Sequence, residues 1–148
     1  MKKTFLVASV AMFVGMLMVG CGGGPVTKYM KDLDPIADIG KKAVTAYGSL
    51  DVSDPEAAVE ILQNQVIPTY EEYISKLEGL TGSIKDEKLK AAHLVLIESG
   101  KMQLQGFQMN MQGIMESDPE ACQSGDAALI EAKRLNDEFV KAIQALTK

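Results

Sequence analysis

One pentapeptide occurs twice in this chain, as Ser53-Asp54-Pro55-Glu56-Ala57 and as Ser117-Asp118-Pro119-Glu120-Ala121. Each copy is a helix start: a short polar side chain to accept the first amides, a proline where the missing amide costs nothing, and an acid against the positive helix end. Two such starts cut the chain into two units, each a helix, an acidic-proline turn and a second helix. A further echo supports the division, since Glu71 to Thr81 parallels Asp137 to Thr147. Between the units, Thr81-Gly82-Ser83 reads as a stop followed at once by a start, with Gly82 left-handed and Ser83 paired with Asp86 in a capping box. A connection that short forces neighbouring helices antiparallel. The expected fold class is therefore all-α, an antiparallel up-down four-helix bundle.

Apolar spacing agrees with this division. Val26, Tyr29, Met30, Leu33, Ile36, Ala37, Ala43, Val44 and Tyr47 recur at helical intervals up to a stop at Gly48, with Asp34-Pro35 either restarting or kinking the helix. Val59, Leu62, Val66, Tyr70, Tyr73, Leu77 and Leu80 alternate steps of three and four, and Pro68 is expected to bend or split that helix near Val66. A third helix, about Lys85 to Glu116, turns Leu89, Ala92, His93, Leu96, Gly100, Leu104, Phe107, Met111 and Ile114 inward. Its Gly106 and Gly113, seven apart on one side, invite close approach of a neighbouring backbone. The last helix buries Ala128, Ala132, Leu135, Phe139, Ile143 and Leu146, with Ser124 or Asp126 as a second possible cap. Helix formers dominate the composition and alternating β-branched runs are missing, so no strand is expected.

The first residues obey a different logic. Lys2 and Lys3 precede an apolar run from Phe5 to Val19 whose one polar side chain is Ser9, and the run ends in Gly20-Cys21. A charged start, an apolar stretch too short to span a bilayer and a small residue at its end make a secretory signal. The cysteine directly after Gly20 resembles the lipobox of bacterial lipoprotein precursors, with Met18 where that family usually has leucine. The resemblance implies removal of residues 1–20, a diacylglyceryl group on the Cys21 thiol and acylation of the new amino terminus. It divides the chain into 1–20, signal peptide; 21–25, lipidated cysteine and glycine-rich tether; and 26–148, the bundle. It also implies a cell-envelope location, on the periplasmic face of the outer membrane where the source has two membranes. Loss of Lys2 and Lys3 leaves 13 of the 15 basic residues against 20 acidic ones, a net charge of −7. That balance argues against nucleic acid and against electrostatic docking on anionic lipid, so attachment to the membrane falls to the acyl chains, at about 0.8 kcal/mol per buried methylene.

Few residues suggest chemistry. His93 is the only histidine; it reads as a hydrogen-bonded core residue or, alternatively, as a haem or soft-metal ligand partnered by Met30, the methionine on the first helix. Cys122 reads as a small buried residue near a helix start or, alternatively, as a thiol that pairs between chains. Val95, Met102 and Met109 form a second apolar stripe beside the main seam of the third helix, the expected floor of a groove for a partner helix or a lipid-like ligand. No Glu-x-x-His pair, serine elbow, phosphate-cradling glycine loop or cysteine pair is present. The expected role is a non-enzymatic binding or scaffold module without a cofactor.

Overall fold

The computed structural model describes residues 24–147; residues 1–20, expected to form a signal peptide, and Cys21 lie outside the described residues. The described chain forms α1 (Pro25–Gly48), α2 (Pro55–Ile61), a π turn (Leu62–Val66), α3 (Ile67–Leu80), α4 (Glu87–Glu116) and α5 (Pro119–Leu146). The segments α2, π turn and α3 follow one another without a break, so four rods run alternately up and down. Among the described residues there is no strand.

Local chemistry sets each boundary. Pro25, expected to close the tether, is instead the first residue of α1, after Gly24, because a first-turn residue has no intrahelical amide bond to lose. Pro35 lies inside α1 and the helix continues past it; its exposed position leaves the unpaired carbonyl before it to water. Pro68 acts differently. It cannot donate to the carbonyl four residues back and its ring crowds that carbonyl, and the chain responds with the wider π turn that ends at Val66, where Ile67 N donates to Leu62 O.

Asp54 and Asp118 cap the two pentapeptide helices, Asp54 accepting from Ala57 N and Asp118 from Glu120 N and Ala121 N. Between the two units the expected capping box does not form. Ser83 Oγ donates back to Leu80 O at 2.8 Å, and Asp86 is itself the cap, accepting from Leu89 N at 2.8 Å. The third rod thus starts at Glu87 rather than Lys85. The connection spans 81–86, with a 3₁₀ turn at Thr81–Ser83 and buried Ile84 closing the core. No described glycine has a positive φ, so Gly82 is not left-handed. The α5 helix runs unbroken through Ser124 and Asp126, neither of which starts it.

The core joins all four rods through Leu33, Leu62, Leu77, Leu96, Phe107, Phe139 and Ile143. The closest approach is between α4 and α5. A methyl built on Gly106 would lie 2.9 Å from Gly125 O, and one on Gly113 would lie 2.8 Å from Cys122 N, so the two backbones touch where these side chains are missing. Midway along the bundle, the Tyr73 ring fits between Gly40 of α1 and Gly100 of α4, while Ser99 Oγ donates to Ala132 O at 2.7 Å. Those contacts place Gly40, Tyr73, Gly100 and Ala132 at one level. One end of the molecule gathers Gly24, segment 81–86 and Thr147; the other gathers segments 49–54 and 117–118.

Candidate functional site

His93 is fully buried and both ring nitrogens are engaged. Nε2 lies 2.9 Å from Leu77 O, which can only accept, so Nε2 carries the proton; Thr81 Oγ1 lies 3.2 Å from the same nitrogen. Nδ1 is therefore the acceptor for the Tyr29 hydroxyl at 3.0 Å. Burial lowers the histidine's pKa, partly opposed by the Leu77 carbonyl, and raises that of Tyr29. A metal at either nitrogen would have to displace one of these bonds. Met30, beside Tyr29 on α1, is half-buried and has no part in them.

Two more tyrosines repeat the pattern. Tyr70 donates to Gln103 Oε1 at 2.5 Å, and Asn110 Nδ2 donates to the Tyr47 hydroxyl at 2.8 Å and to Asp126 Oδ1 at 3.2 Å. Three hydroxyls of the first two rods thus engage His93, Gln103 and Asn110 of α4. Gln103 Nε2 and Asn110 Oδ1 have no hydrogen-bond partner among the described residues. Burial raises the pKa of Tyr70 and Tyr73, and of Tyr47 with some opposition from Asn110, so all three hydroxyls stay protonated. The sequence did carry a signal for Gln103 and Asn110, since they continue the seven-residue series begun by Leu89 and Leu96.

The predicted site residues do not converge. Cys122 is buried against Gly113 at the α4–α5 contact, the small-residue reading. Val95, Met102 and Met109 are each half-buried along one edge of α4. An open groove among the described residues lies elsewhere, between the start of α2 and the end of α4. It measures about 560 Å³, with Pro55, Val59, Ile114 and Met115 as apolar lining and Glu56 and Glu60 among its polar residues. Nothing in the apolar periodicity marks it, because its walls meet only when the two rods pack.

The fold also sorts the charges. Segments 43–75 and 102–132 together hold eleven acidic residues and neither Lys nor Arg. They make up the end of the bundle that carries the groove. Every basic residue of the described chain is at the level of Gly40, Tyr73, Gly100 and Ala132 or towards the end where α1 begins. A single net charge hides this division.

No family model matches the chain, and no curated protein or solved structure shows significant similarity to it.

Proposed function

We propose that this chain is a lipid-anchored, non-enzymatic binding or scaffold module of the cell envelope. Acyl chains on Cys21 hold it at the end where α1 begins, on the periplasmic face of the outer membrane in a source with two membranes, and a partner protein docks in the groove at the opposite end. The observation that carries the reading is this polarity: the 24 residues of α1 keep anchor and groove about 36 Å apart. Binding therefore leaves the anchor undisturbed.

Charge complementarity selects the partner. An apolar floor with Glu56 and Glu60 beside it, in an end region without a basic residue, suits a helix that presents an apolar ridge flanked by Lys or Arg. An anionic lipid-like ligand would meet repulsion there.

Two measurements test the reading. The intact mass of protein extracted from membranes should show acyl groups, and an unmodified Cys21 thiol would end the anchoring proposal. Met115 and Ile130 are equally exposed, at 63% and 64%, but only Met115 lines the groove. A photo-crosslinker at position 115 should trap a discrete partner in cell envelopes and one at position 130 should not; equal trapping at both would remove the groove from consideration.

A further inference from the structure

The end opposite the groove has the complementary character. Lys28 and Lys31 on the first turns of α1, Lys85 before α4, Lys88 and Lys90 at its start, and Lys141 on the last turns of α5 all lie there. Of the acids at this end, Asp32 is paired with Lys28 at 2.7 Å and the Asp86 carboxylate is engaged by Leu89 N. Asp34 and Glu87 are also present, and Glu78, Asp137 and Glu138 are paired with Lys101, Lys133 and Arg134. Lys31, Lys85, Lys88, Lys90 and Lys141 make no ion pair among the described residues. The chain leaves this same end at Gly24, three residues after Cys21.

We infer that this lysine face rests on anionic lipid headgroups and holds the bundle upright, groove outward. The inference depends on the reading of Cys21 as the anchor. Three residues reach no further than about 11 Å, so the end of the bundle at Gly24 is held within little more than a Debye length, ~8 Å in physiological salt, of the bilayer, with the lysines on the turns next to it. The eleven acids begin beyond the middle of the bundle and are screened at that distance. The net charge of −7, which argued against docking on anionic lipid, averages two ends that meet different surroundings. An acyl chain with a basic patch is a two-signal attachment, in which the chain supplies affinity and the patch supplies orientation.

The test uses the natural processed protein inserted into vesicles of phosphatidylcholine alone or mixed with phosphatidylglycerol, with lysine acylation read by mass spectrometry. Lys31, Lys85, Lys88 and Lys141 should react about fivefold more slowly on the anionic vesicles, the factor expected for a lysine near such a surface. Lys76, Lys101 and Lys133 should be unchanged, and high salt should abolish the difference. The paired substitutions Lys85→Glu and Lys88→Glu, both at exposed positions, should return Lys31 and Lys141 to their neutral-vesicle rates. Flotation with both vesicle types but identical labelling overturns the inference while leaving the anchor intact. Flotation with neither overturns both. Flotation with anionic vesicles alone supports the lysine face and removes the acyl anchor.

Discussion

The Tyr29 hydroxyl and His93 Nδ1 lie 3.0 Å apart, from residues 64 positions apart in the chain, with the two rings edge-on at 5.6 Å. With the hydroxyl donating, the bond requires a neutral imidazole; a second proton on Nδ1 would force the hydroxyl to turn and accept instead. Burial favours the uncharged side chain, partly opposed by the Leu77 carbonyl, and its pKa falls below the ordinary value of 6.5.

A pH dependence of stability follows. Below pH 6.5 the unfolded chain protonates its histidine while the folded chain resists, so the unfolded state binds more protons and stability falls as pH falls. The slope reaches at most about 1.4 kcal/mol per pH unit and ends once the depressed folded pKa is passed. Above pH 6.5 the contribution is constant. Urea midpoints of the wild type should therefore drop as pH falls below about 6.5 relative to those of His93→Gln. Parallel curves for the two proteins would show that the imidazole is not held neutral.

At the α4–α5 contact, size rather than charge decides. An alanine methyl at Gly113 would lie 2.5 Å from Cys122 Sγ and 2.9 Å from Asp118 O, and one at Gly106 would lie 2.7 Å from Leu129 Cδ2. Backbone on the far side cannot move aside as a side chain can. Overpacking of about 1–3 kcal/mol then outweighs the helix-propensity gain of about 1 kcal/mol. Gly106→Ala and Gly113→Ala should each lower the denaturation midpoint. At Gly79, where nothing lies within 4 Å, the same change should raise it, by up to about 1 kcal/mol.

The contrast between those glycines shows how far sequence alone could reach. The rods, the antiparallel order and most inward residues followed from periodicity, and the seven-residue spacing of Gly106 and Gly113 pointed to the close contact. The polar interior did not follow. Gln103 and Asn110 occupy core positions of their series, but a polar residue is assigned to a surface until a partner is known, and Tyr70 and Tyr47 are far away in the chain. Charge sorting escaped for a related reason: segments 43–75 and 102–132 become one surface only after folding.

Tyr70 and Gln103 allow the polar interior to be weighed. Gln103→Leu strands the buried Tyr70 hydroxyl, and Tyr70→Phe strands Gln103 Oε1 beside the already unpaired Nε2. Each should cost about 1–3 kcal/mol. The double variant removes both polar groups at nearly constant volume and should come back close to the wild type. If the two losses instead add, the hydrogen bond contributes nothing and each residue acts through packing alone.

Identical pentapeptides need not behave identically, and their serines offer the sharpest test of local geometry. Ser117 sits at φ 53°, ψ 37°, the one non-glycine positive φ among the described residues. It ends α4 and lets Asp118 N reach Gly113 O at 2.8 Å. A side chain in that conformation carries strain of about 1–2 kcal/mol that glycine lacks, partly offset by the freedom glycine gains when unfolded. Ser117→Gly should therefore stabilise the protein by about 0.5–1 kcal/mol. Ser53 holds the same place in the first copy, but its φ is not positive and its amide and hydroxyl both donate to Asp51 Oδ1, at 2.9 and 2.6 Å. Ser53→Gly loses the hydroxyl's bond without relieving strain, so its denaturation midpoint should fall. A gain at both serines would mean that the two turns share one conformation and that the left-handed geometry at Ser117 has been misassigned.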